Sequence, residues 1–502
     1  MDISEDAGVP VGYSALIKNL KLNVLPHYRS SYIAMSGRGK TIANTHEEIH
    51  IYPKNYAIKN FDDPLLHIEF ALKHDGINLH ILYQTFLHIG VQTIEKFIQD
   101  QPTSKYARII WYLYEWLTET KLNIEDCQSS NYVNLLDTNE YYTSVPLKKR
   151  RYRVNDNLLG NRTFCPIVRK TAALQKYENL ALDQKAHELL EQYDPVIIAR
   201  AGNYLYTKET KSSYEIEHEY PEQKRLAKFV TILKEASAIN KLTKDKLIEL
   251  QNTIVDPRYR DADYRHTQNY VGENIEHYRQ KIHYISPKPE DVTDLMAGLL
   301  AALERMMASK SHPIVIAAAI SFGFVFIHPF EDGNGRLHRF LIHYILSKQA
   351  FTPEGFIFPV SAVMLKNIKN YDQILELFSA PLLTLISNYT LDEKGTMNVA
   401  QDTKNYYQFI DYTAQVEYVF ACIEETIATD FKNELKFVLN FDKTKRAIQN
   451  VVDMPDKKIN LLIKLVIQND GKLAEKKRKD YFSELTTNEI DEMANIIQRF
   501  ML

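Results

Sequence analysis

His328-Pro329-Phe330-Glu331-Asp332-Gly333-Asn334-Gly335-Arg336-Leu337-His338-Arg339 places a histidine, a carboxylate, two glycines and two arginines in one short segment. Glycine takes positive φ without steric cost, so Gly333 and Gly335 let successive backbone N–H groups converge on one anion. Beyond them Leu337, Phe340, Leu341, Tyr344 and Ile345 recur at helical spacing. The pattern predicts a loop that delivers a phosphate to a helix N-terminus, where the macrodipole adds attraction. Arg336 and Arg339 stand three positions apart, off that apolar stripe, and each can fork onto a different phosphate. Asp332 is a hard oxygen ligand of the kind Mg2+ uses when substrate phosphates also hold it. His328 is the group best placed to accept a proton near neutral pH. Taken singly, a histidine beside an apolar run is a core residue and Gly-Asn-Gly is a turn. Taken together and in this order, the roles are jointly fillable and predict phosphate-transfer chemistry.

The order His-x-Phe-x-Asp-Gly-Asn-Gly-Arg-x-x-Arg, complete here from His328 to Arg339, resembles the signature of Fic-domain proteins, most of which are protein adenylyltransferases. The resemblance implies that His328 deprotonates a target hydroxyl and that Asp332 holds Mg2+. It implies that Gly333, Asn334 and Gly335 cradle the α- and β-phosphates of ATP, while Arg336 and Arg339 hold the part that leaves as pyrophosphate. Phe330 becomes the buried anchor of the loop. The Doc toxins, kinase relatives, carry lysine where this chain has Gly335, so the resemblance favours nucleotidyl transfer.

Two upstream segments extend the resemblance. Ser213-x-x-x-Glu217 is similar to the inhibitory motif of Fic proteins, which implies that Glu217 pairs with Arg339 and competes with the γ-phosphate for it. The family has glycine or asparagine after that glutamate; this chain has His218. The plainer reading is an exposed acidic helix bearing Glu215, Glu217, Glu219 and Glu222. Gln268 to Gly272 followed by Lys281 to Pro289 is similar to the β-hairpin flap over the Fic site, whose edge would register an extended target segment.

With 502 residues and 45% hydrophobic content the chain can bury a large core and divides into about three domains. A net charge of -3 gives no global attraction to nucleic acid or anionic membrane. Cys127, Cys165 and Cys422 are too widely spaced for a metal knuckle or disulfide framework, which fits a reducing cytoplasm, and no export signal opens the sequence. Pro313 to Phe330 is apolar enough to resemble a membrane span but ends in the charged loop, so a fully buried helix is expected. Amphipathic helices are predicted at Glu290 to Lys310, Asp183 to Arg200, Tyr220 to Ile239, Leu79 to Phe97 and Tyr106 to Thr118.

Two N-terminal motifs are rejected. Ala34 to Thr41 ends like a P-loop but lacks its first glycine, and His46-Glu47-Glu48-Ile49-His50 spells a zinc-protease pattern on what reads as a strand. Tyr132 to Asn161 reads as loop or short strands, and its run Lys148 to Arg153 as a solvated face.

The fold class expected is mainly α: a helical Fic-like core with a flap at 201–390, a mixed, mostly helical N-terminal domain at 1–200 and a helical, winged-helix-like region at 391–502. The function expected is transfer of AMP from ATP, with Mg2+, to a Tyr, Thr or Ser hydroxyl of a partner protein or of the chain itself. The alternative is a DNA-binding or docking regulator acting through the basic run Lys476 to Lys479. A homodimer is a plausible means of controlling the inhibitory helix.

Overall fold

The computed structural model describes residues 8–35, 39–43, 47–276, 279–393 and 395–502. Its centre is the helix Pro313–Ile327, apolar on every side because no polar face interrupts Ile314 to Ile320 and Phe322 to Ile327 except Ser321. It is clasped by the helices Pro289–Ala308, Asn334–Lys348 and Thr413–Glu425. At 15 residues it is a core element, and among the described residues no helix is long and apolar enough to cross a membrane.

One contiguous hydrophobic core runs from Tyr142 to Val438, so the divisions at 200 and 390 fall inside it. The helix Pro195–Ile216 crosses the first division. The sequence pattern Asp183 to Arg200 is therefore two helices, Leu182–Leu190 and Pro195–Ile216. Asp194 caps the second by accepting from the Val196 N–H, and Pro195 sits in its first turn, where its missing donor costs nothing. Leu79 to Phe97 is likewise two helices, Leu79–Phe86 and Val91–Asp100, separated at Gly90. Tyr220 to Ile239 resolves into the helix Gln223–Lys234 and a short 3-10 turn at Ala236–Ala238.

The N-terminal region is more mixed than its helical periodicity predicts. Strands Val9–Val11, Arg29–Ile33, Glu48–Tyr52 and Lys40–Ala43 form one sheet in that spatial order, and helices from Pro64 to Thr118 build a separate core on Leu65, Ile68, Leu82, Ile110 and Trp111. His50 lies on the strand Glu48–Tyr52, with Nε2 3.1 Å from Glu48 Oε2, while His46 lies outside the described residues. Lys40 and Thr41 of the P-loop-like run open a strand; residues 36–38 of that run also lie outside the described residues.

The helices Asp456–Gln468 and Thr487–Met501 enclose a third core with the end of Lys432–Val451 and with Phe482 and Leu485, while the helix Glu475–Tyr481 buries no residue. Thr486 and Glu489 form the expected capping box. No described strand lies within 400–502, so the winged-helix-like reading is corrected: the segments that would make a wing are spent on helix.

Candidate active site

His328 ends the central helix in the left-handed region, φ 53°, which turns the chain sharply into the loop. Its Nδ1 stands 3.2 Å from the Val325 carbonyl. A carbonyl only accepts, so the proton sits on Nδ1 and Nε2 keeps its lone pair. Burial of the ring, with the Arg265 charge nearby, lowers its pKa to about 4 and holds it neutral at physiological pH. Phe330 is fully buried against Tyr264. The Asn334 side chain braces the loop: its Oδ1 accepts from the Phe330 N–H at 3.0 Å and its Nδ2 donates to the Phe330 carbonyl at 2.7 Å. What Asn334 can offer a phosphate is consequently its backbone N–H. Gly333 adopts φ 89°, a conformation suited to glycine, and opens the helix Asn334–Lys348 as its cap.

Both arginines are buried and closed by carboxylates. Arg339 donates through Nε to Ser213 Oγ at 2.9 Å, and through Nη2 to the Ser213 carbonyl at 2.6 Å and Glu217 Oε1 at 2.8 Å. The same Glu217 oxygen lies over Gly335, where an added Cβ would meet it at 2.1 Å. Glu217 therefore rests on the loop glycine as well as on the second arginine. Burial alone would raise its pKa, but the Arg339 charge and hydrogen bond outweigh this and lower it. Arg336 pairs with Asp332 Oδ1 at 2.5 Å and with Glu219 at 3.0 Å. Arg336 Nε and Arg339 Nη1 have no acceptor among the described residues, leaving donors in reserve for an anion.

Glu217 and Glu219 flank the end of the helix Pro195–Ile216. The Glu219 N–H donates to the Tyr214 carbonyl at 3.0 Å and the His218 N–H to the Glu215 carbonyl at 2.9 Å, the pairing of a Schellman turn. Such a turn needs a left-handed residue, and His218 adopts φ 55°. That accounts for the position at which the resemblance expects glycine or asparagine. Deeper in the same helix Glu209 is buried against His343 Nε2 at 2.7 Å and the Ser361 N–H at 2.8 Å, pinning the helix body to the helix Asn334–Lys348.

The flap is the antiparallel hairpin Tyr270–Glu276 with Arg279–Ile285, a two-stranded sheet of its own. Arg265, which sequence reasoning missed, ties it to the loop. Its Nε donates to the His328 carbonyl at 2.8 Å, Nη1 to Thr267 at 2.7 Å, Nη2 to Pro287 at 2.6 Å, and its backbone N–H to Pro329 at 2.8 Å. Burial lowers its pKa to about 10, still charged at neutral pH. Its sequence signal was only an arginine shortly before the flap. Glu219 and Glu209 were missed as well, because neither belongs to a motif.

His328, Asp332, Gly333, Asn334, Gly335, Arg336 and Glu217 share one cavity of about 90 Å³. That is well below the roughly 300–1,000 Å³ of small-molecule sites, so the side chains as they stand fill much of the space a nucleotide would use. Asp332 is a single carboxylate, and no group of three or more histidine, cysteine, aspartate or glutamate side chains that could hold a metal occurs among the described residues. This donor set fits Mg2+, which takes one or two carboxylates and completes its shell with phosphates and water. Asp261 beside it has its pKa raised by burial and by the Glu331 and Asp332 charges, a local negative field that also suits a cation.

Residues 241–346 match the family model described as Fic/DOC family. "Protein adenylyltransferase Fic" of Culex quinquefasciatus is 32% identical over 124 residues, covering 24% of this chain and 23% of that protein. The Drosophila mojavensis protein of the same description is 26% identical over 263 residues, 50% of each chain. The chain thus spans at most half the length of these two curated relatives. A solved Fic family protein from Desulfovibrio desulfuricans G20 is 17% identical with a TM-score of 0.37, covering 65% of this chain and 85% of that one. The complete loop from His328 to Arg339 lies inside the region, residues 241–346, that matches the Fic/DOC family model.

Proposed function

We propose that this protein transfers AMP from ATP to a tyrosine, threonine or serine hydroxyl of a protein and that Glu217 restrains the reaction. The observation that carries the reading is the seat of Glu217, whose carboxylate takes the place of an anion on Gly335 and Arg339. An acid that fits there marks the site as one built for negative charge. In the reaction Nε2 of His328 accepts the proton of the target hydroxyl, and the hydroxyl oxygen attacks the α-phosphorus. The bond from that phosphorus to the bridging oxygen breaks, and pyrophosphate leaves held by Arg336 and Arg339. When bound, Mg2+ held by Asp332 and the phosphates neutralises charge at the reacting phosphate. The outer edge of the hairpin Tyr270–Glu276 and Arg279–Ile285 receives the target as an added strand. Names of relatives support adenylyl transfer, and Gly335 in place of lysine supports it over phosphoryl transfer.

The test is transfer of label from α-labelled ATP with Mg2+ by wild type, Glu217→Gly and Glu217→Gly/His328→Ala, with and without cell lysate. Label should rise in the single variant and vanish in the double. Absence of label in every variant despite ATP binding would overturn the reading.

A further inference from the structure

We infer that Glu219 is a second gating carboxylate, which closes Arg336 as Glu217 closes Arg339, so that one turn of chain shuts both phosphate-binding arginines. The inference rests on the proposed function and adds to its regulation. Glu219 approaches Arg336 by two contacts, Nη1 to Oε2 at 3.1 Å and Nη2 to Oε1 at 3.0 Å, a forked pairing of the kind a phosphate would otherwise make. The Arg336 side chain is only 2% exposed, whereas that of Glu219 is 31% exposed, so the acid is the partner that faces solvent.

The neighbouring groups hold Glu219 in this position. Arg225 Nη2 donates to the same Glu219 Oε2 at 2.8 Å. The Tyr214 ring has the Arg336 and Arg225 guanidinium groups each 5.3 Å from its centroid, and its hydroxyl donates to the Ile254 carbonyl at 2.7 Å. Glu219 thus joins two cations that share one aromatic ring. Because its N–H is bonded to the Tyr214 carbonyl in the Schellman turn, Glu219 and Glu217 are placed by the same backbone feature. His218 between them is the non-glycine residue at φ 55°, the strained link of the turn. Asp332 also holds Arg336 but belongs to the loop itself; Glu219 is the contact that can leave with the turn.

The consequence is that Glu217→Gly frees only one arginine. The test uses the full chain in a Glu217→Gly background and measures binding of MgATP, tripolyphosphate and adenosine by calorimetry, alongside label transfer. Adding Glu219→Gln should lower the dissociation constants of MgATP and tripolyphosphate about five-fold or more and leave adenosine unchanged, because the freed donors read phosphate alone. Glu219→Asp, which keeps the charge but shortens the reach, should move them the same way by less, and serves if the Gln variant does not fold. Glu215→Gln, at an exposed carboxylate on the same segment, is the control and should change nothing. Unchanged or weaker phosphate binding in folded Glu219 variants would overturn the inference. Loss of label transfer in all variants with the tightening intact would instead count against the adenylyltransferase reading alone.

Discussion

Replacing Gly335 by alanine separates the space a carboxylate uses from the space a phosphate uses. Gly335 has ordinary helical geometry in the first turn of Asn334–Lys348, so alanine is tolerated by the backbone and gains about 1 kcal/mol of helix propensity. The added Cβ would lie 2.1 Å from Glu217 Oε1, and since such contacts are not seen under 3.0 Å the carboxylate must retreat by about 0.9 Å. A retreat of that size breaks the 2.8 Å bond to Arg339. Arg339 is fully buried, so losing this partner leaves its charge with the Ser213 contacts alone, a cost larger than the helix gains, and the melting temperature should fall below wild type. Alanine nevertheless should not activate the enzyme as Glu217→Gly does, because the phosphate is held to occupy the same volume. Overpacking of about 1–3 kcal/mol translates into a five- to 150-fold loss of label transfer in Glu217→Gly/Gly335→Ala relative to Glu217→Gly. Single-turnover labelling with α-labelled ATP reads this directly. Equal labelling by the two would show that nucleotide does not use the space over Gly335, and the anion-nest argument would fall.

Other outcomes follow from the same geometry. With the His328 pKa lowered to about 4, the neutral base persists as pH falls, so labelling by Glu217→Gly should hold from pH 8 to about 5 and drop only below; an acid limb near the ordinary histidine value would refute it. Asn334→Ala leaves the buried Phe330 N–H and carbonyl without their partner, at about 1–3 kcal/mol for each orphaned group, and should lower both the melting temperature and labelling. At the end of the helix Pro64–His74, against Ser31 of the N-terminal sheet, burial raises the Asp75 pKa to about 7, so the folded state keeps a proton that the unfolded state releases between the ordinary carboxylate value and 7. Stability is therefore lost as pH rises through that window. Asp75→Asn should flatten the loss and raise the melting temperature at pH 8, measured by thermal unfolding; an unchanged pH profile would refute it.

The shape of the loop from His328 to Arg339 was legible in sequence because it is local: these residues lie within one turn and the helix it opens. The buried central helix was legible for a related reason, since an apolar run of 15 residues has one soluble solution, burial on all sides. The Glu217 to Arg339 contact joins residues far apart in sequence, and only the resemblance to a motif pointed to it. Nothing comparable flagged Glu219 or Arg265, whose partners depend on how the turn and the flap pack. The N-terminal sheet was hidden by strands of three to five residues whose spatial order departs from chain order. Helix breaks at Gly90 and Pro195 were written in the sequence, but the apolar periodicity that runs across them masked the stop.

Arg265 gives the protein a fixed ruler. One side chain grips the His328 carbonyl at one end and the two roots of the hairpin, Thr267 and Pro287, at the other, while the strand end is anchored by buried Tyr284 and Ile285, whose partners are the Phe326 carbonyl and the Tyr407 hydroxyl. Only the part of the hairpin beyond those anchors can diverge, or be exchanged in the laboratory, without disturbing what holds its base. On the proposed function, grafting a foreign hairpin tip between Gly272 and Ile282 would change which chain is presented while His328 stays where Arg265 and Tyr284 hold it.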